Sequence, residues 1–161
     1  MGYDKGPQTK EGNEVKKIAS HTIRGAVASS DTAMERLQLF DGRFDTGYRV
    51  TFFEVSIRDR DNTNVILTSA KLATEDVADN TKWYWSDNRE IAWSASVADA
   101  NGVSHFAPET IIDEDNMIVQ DLFIGAVANS SCTVNYIIKL DKYDITDWQG
   151  ALAMVRNRSQ A

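Results

Sequence analysis

The chain has little of what catalytic and stapled proteins are built from. Its 161 residues include one cysteine, two histidines and two prolines. With Cys132 alone, no intramolecular disulfide framework can form. With only His21 and His105, metal ligation by His and Cys is thin, and a Ser-His-Asp relay would have to use one of these two, with no recognisable partner motif around His105. There is no Gly-x-Ser-x-Gly elbow, no phosphate loop and no dinucleotide fingerprint. No apolar run approaches the roughly 20 residues of a membrane helix, so no membrane span is expected. The segment from Met1 to Pro7 lacks an apolar stretch and reads as no signal peptide. Positive charge is also in deficit. A formal net charge of −7 argues against tight, sequence-specific nucleic-acid binding, which relies on clustered Lys and Arg.

What is present is a soluble, globular composition, 42% hydrophobic and 25% charged, long enough for one core. Residues 1–17 form a polar arm with almost nothing to bury. Residues 18–161 then read as one domain. Strands are predicted over Ile23–Ala28, Arg36–Phe40, Tyr48–Arg58, Val65–Leu72, Thr110–Ile112, Met117–Val127 and Cys132–Leu140. In Tyr48–Arg58, Phe53, Val55 and Ile57 share one face, with Val50 and Phe52 assigned to the other. Lys82–Trp85 and Glu90–Ala95 flank Ser86-Asp87-Asn88-Arg89 as a hairpin, and Val97–Pro108 reads as irregular. From Cys132 the alternation Cys132, Val134, Tyr136, Ile138, Leu140 marks a half-buried strand. The period changes at Thr146, where Trp148, Leu152 and Val155 take helical spacing. Thr146-Asp147-Trp148-Gln149 fits a capping box, and Arg156 and Arg158 suit the helix C-terminus. The expectation is an all-β, single-domain, jelly-roll-like sandwich with a polar N-terminal arm and one short C-terminal helix, 146–158.

Three groups carry what functional signal there is. Trp83, Trp85 and Trp93, gathered on one hairpin, can stack a sugar or base, although buried or interfacial aromatics are commoner. Asp113, Glu114, Asp115 and Asn116, and separately Asp59, Asp61 and Asn62, offer oxygen donors but lack calcium-loop spacing, and read as solvated turns. No metal or other cofactor is expected. The helix residues Trp148, Leu152, Val155, Arg156 and Arg158 form a candidate assembly surface.

The polar arm, the eight-strand-like sandwich from about Ile23 to Leu140 and the closing helix together resemble small virion structural proteins, phage capsid or capsid-associated subunits in particular. That resemblance rests on organisation and carries over no individual residue. It implies a non-enzymatic shell subunit located in the virion and assembled in the host cytoplasm. Its partners would be copies of itself and other virion proteins. The alternative is a carbohydrate-binding or host-attachment module using Trp83, Trp85 and Trp93.

Overall fold

A computed structural model describes residues 16–29, 33–40, 42–43, 45–61, 63–77, 79–99, 109–118 and 120–145. Within them lie eight strands: β1 Lys16–Ala28, β2 Glu35–Leu37, β3 Thr46–Ile57, β4 Ile66–Ala73, β5 Glu90–Ala98, β6 Glu109–Ile112, β7 Leu122–Ala128 and β8 Thr133–Asp144. All paired strands run antiparallel, in a three-stranded sheet β1-β8-β3 and a five-stranded sheet β2-β7-β4-β5-β6.

The pairs β1:β8, β2:β7 and β4:β5 are nested like the two legs of one long hairpin. That hairpin is rolled so that β8 also meets β3 and β7 also meets β4, the winding of a jelly roll. A jelly roll would also pair β3 with β6. Here β6 stays beside β5, and the chain after it crosses to β3 through reciprocal Tyr48–Ile118 backbone hydrogen bonds of 2.8 Å. Thr110 Oγ1 donates to the Phe53 carbonyl at 3.0 Å, holding the same corner. The all-β sandwich expected from strand periodicity is therefore the observed fold. The helix 146–158, with Trp148, Leu152, Val155, Arg156 and Arg158, lies outside the described residues, as do arm residues 1–15.

Period-two alternation builds the core. Along β8, Val134, Tyr136, Ile138 and Leu140 are buried, while Asn135, Ile137 and Lys139 face out. Opposite them, Leu72, Leu122, Ile124 and Ala126 close the space between the sheets. Cys132 precedes β8 and packs half-buried against this core, as a small hydrophobe does.

β3 corrects the face assignment. A register shift between Val50 and Phe52 marks a bulge at Thr51. The extra residue puts Val50 on the same buried face as Phe53, Val55 and Ile57. Phe52 lies outside, beneath the Lys139 ammonium at 5.1 Å from the ring centre. Other boundaries also move. β1 begins at Lys16, so Lys16 and Lys17 belong to the sheet rather than to a free arm, and β5 runs on through Val97 to Ala98. β2 stops at Leu37 and β7 starts at Leu122, because Asp121 closes both ends. The Asp121 carboxylate takes the Leu39 and Phe40 amides at 3.0 and 3.1 Å and Arg36 Nε at 2.6 Å.

Candidate functional site: an aromatic loop over a buried ion pair

β4 turns its odd-numbered side chains away from the core, to the outer face of the five-stranded sheet. Leu67 obeys the expectation for such a face and is exposed. Lys71 does not: it is fully buried, although its face would ordinarily meet solvent. The cover is the connection between β4 and β5, residues 74–89, which folds back over this end of the sheet.

Lys71 holds that cover. Its ammonium donates to the Asp79 carbonyl at 2.6 Å, the Lys82 carbonyl at 2.8 Å and Glu90 Oε2 at 2.9 Å. Three donors thus find three acceptors, and both side chains of the pair have no solvent exposure. The other Glu90 oxygen accepts the Tyr84 amide at 2.9 Å and Trp93 Nε1 at 3.0 Å. A buried charge pair is tolerated when its remaining donors and acceptors are used in this way. The loop is further fixed from within. Asp79 Oδ1 takes the Thr81 amide and hydroxyl at 2.8 and 2.5 Å, and those bonds hold its carboxyl below the ordinary carboxylate range. Asp87 is lowered chiefly by its hydrogen bonds from Arg89, whose Nη2 lies 2.7 Å away.

Gly125 lets the loop lie close. It is the register partner of Lys71, and a Cβ there would come 2.5 Å from Asn80 Oδ1. Only a residue without a side chain leaves room for buried Asn80.

This arrangement decides the three tryptophans. Lys82–Trp85 is a turn rather than a strand, so no two-stranded hairpin exists here and Trp83 and Trp85 share no strand face. Its backbone is taken up by Lys71 and Glu90 instead of by a ladder. Trp93 is buried at 5% exposure, Trp83 is half-buried, and Trp85 is 62% exposed. Trp85 meets Trp93 edge-on, with ring centres 6.2 Å apart and planes at 66°. Tyr84, 42% exposed, lies over the Lys71 ammonium at 5.3 Å, and its hydroxyl donates to Asp79 Oδ2 at 3.3 Å. Ile111, the register partner of Trp93, is exposed beside this group. The structure thus presents a Tyr84–Trp85 surface, with Trp93 buried beneath it. The place of Tyr84 depends on Lys71, and a single Lys within the strand segment Val65–Leu72 is the sequence feature that points to it.

The other candidates resolve locally. Asp113 bonds the Asp115 amide at 3.2 Å and Asn116 Nδ2 at 3.3 Å, a turn capping itself. Asp59 and Asp61 line a cleft of about 340 Å³ with Ile57, Thr63, Ser130 and Cys132. No cluster of three or more His, Cys, Asp or Glu residues suited to a metal occurs among the described residues. His21 lies on β1 near the Tyr48 ring, 6.3 Å between centres. His105 falls outside the described residues. No helix among the described residues is long and apolar enough to cross a membrane.

Comparison of the chain with protein-family models, with curated proteins and with solved structures yields no match in any of the three. The site must therefore be read from its own chemistry.

Proposed function

We propose that this chain is a non-enzymatic structural subunit that self-assembles, of the kind that builds a virion shell. The observation carrying this reading is that apolar side chains stand exposed on several separate faces. Ile137 is on the outer face of the three-stranded sheet, Val65 and Leu67 are at one end of the five-stranded sheet, and Tyr84, Trp85 and Ile111 are at the other. Single exposed apolar residues are ordinary, so the weight falls on the grouped Tyr84, Trp85 and Ile111, with the other faces as further contacts of the kind a shell subunit makes on several sides. The jelly-roll winding supports the reading, since viral shells use it, although lectins do too. Sedimentation and electron microscopy of the full chain test it. Assemblies of defined size are expected, and a monomer at every concentration would overturn the proposal.

A second reading has its own observation. Trp85 is exposed yet braced edge-on against buried Trp93, which suits stacking on a sugar ring. A carbohydrate or attachment module predicts that glycan titration changes tryptophan fluorescence and that Trp85→Ala abolishes the change. A glycan array without hits removes this reading.

A further inference from the structure

The two sheets have four lateral edges, and they are not treated alike. β2 and β6, the edges of the five-stranded sheet, are three and four residues long. The far edge of β3 is met by Ile118 and by the Thr110 hydroxyl. Short or covered strands are the usual protection against edge-to-edge pairing. Among the described residues β1 has neither protection. It is 13 residues long and, among the described residues, is bonded on one side only, to β8.

The register says which groups it offers. Ser29 donates its amide to the Cys132 carbonyl at 2.9 Å, and the pairing continues unbroken from Ala28↔Thr133 to Ala19↔Lys142. In an antiparallel ladder, directly bonded pairs alternate with unbonded ones. Odd residues from Ala19 to Ser29 therefore bond β8, and Ser20, Thr22, Arg24 and Ala26 direct their N–H and C=O groups outward. Along this stretch Arg24 is the only residue among Lys, Arg, Asp and Glu, so little charge guards the edge.

We propose that a second copy of this chain pairs with that edge, β1 against β1, antiparallel about a two-fold axis at Thr22. This rests on the self-assembly reading above and names its contact. Charge disfavours several registers and suits one at Thr22. An axis at Arg24 sets two arginines face to face, an axis at Ser20 sets Arg24 against Lys16, and an axis at Ile23 brings Arg24 toward Lys139 on the neighbouring strand. Like charges directly opposite destabilise a pair. An axis at Thr22 instead pairs Arg24 with Ser20 of the other copy. Ser20 Oγ donates to Asp141 Oδ1 at 2.9 Å, and the two residues are register partners, so the arginine meets a rung whose carboxylate it shares with Lys17, 3.3 Å from the same oxygen. Thr22 meets Thr22, a favourable cross-strand pair. The result is one continuous six-stranded sheet.

Sedimentation of the full chain, with two variants, tests this. Thr22→Pro removes an outward amide without touching the β8 ladder, and Thr22→Glu opposes two carboxylates across the axis while its own partner on β8 is Lys139. Each is expected to raise the dimer dissociation constant at least about tenfold, as loss of on the order of 1.4 kcal/mol requires. Nitroxides attached at Thr22→Cys in a Cys132→Ala background should show strong dipolar broadening, because Cα atoms of a bonded pair lie about 5.5 Å apart. Amide exchange at Thr22 and Arg24 should slow as concentration rises. Slow exchange independent of concentration in a monomer overturns the proposal, since the chain then covers its own edge. Assemblies that form normally with both variants overturn the edge contact and leave the shell reading standing. A closed dimer with nothing larger upholds the edge and removes the shell.

Discussion

Lys71 and Glu90 show how one pair of residues decides a surface. Neither is stabilising by charge alone, because desolvation offsets most of the attraction. Their value is that three loop backbone groups and the Trp93 indole converge on them. Lys71→Met is expected to lower unfolding free energy by about 3–5 kcal/mol in denaturant titration, since it leaves a buried carboxylate unpaired. The double variant Lys71→Met/Glu90→Leu should recover much of that loss yet release the loop, seen as increased Trp85 quenching. A double variant as unstable as the single one counts against the account. The two indoles offer a contrast at the same scale. Trp93→Ala should cost about 3–5 kcal/mol as a buried aromatic. Trp85→Ala, mostly exposed, should cost no more than the roughly 0.5–1.5 kcal/mol of its edge contact. Equal losses would mean that Trp85 is not a surface residue.

Asp121 extends the argument to acid. Burial pushes its carboxyl up, but hydrogen bonds from the Phe40 amide, Arg36 and the Leu39 amide outweigh it, and the group sits below the ordinary 3.8. A carboxyl depressed in the folded state contributes stability that is fully present above the unfolded value. That contribution is lost as pH falls through the folded one. Acid titration of wild type should therefore lose more stability below about pH 3.8 than Asp121→Asn does. Parallel curves for the two proteins would show that the carboxylate is not the staple between β2 and β7.

At the scale of elements, close approaches and bulges do what strand propensity cannot. The Thr51 bulge lets Val50 and Phe53 share a face, and Gly125 lets the 74–89 loop settle on the sheet. Gly125→Ala is expected to cost about 1–3 kcal/mol, the range for overpacking a filled site. Asn80→Ala in the same chain should relieve part of that cost, so the two changes are not additive. Strict additivity in thermal melts would place Asn80 elsewhere. Where one face was buried, as in β8, alternation marked the strand and its inward side chains. Where a bulge or a buried side chain on the outer face broke the pattern, at β3 and at Lys82–Trp85, the reading went wrong.

For the whole molecule, what the sequence by itself determined is the class of fold. Alternating apolar residues separated by Asp, Asn, Gly and Ser turns leave a chain of this length little choice but two packed antiparallel sheets, because burial of one face per strand is a local property. Scarcity of His and Cys was equally legible, since composition alone limits chemistry. Only the tertiary structure decided which strands became neighbours, which edge is unpaired among the described residues and which aromatics reached solvent. Each of those depends on residues far apart in the chain: Lys71 with Glu90, Asp121 with Arg36, Tyr48 with Ile118. Periodicity records how a segment meets a core, but it carries no information about which segment lies on the other side.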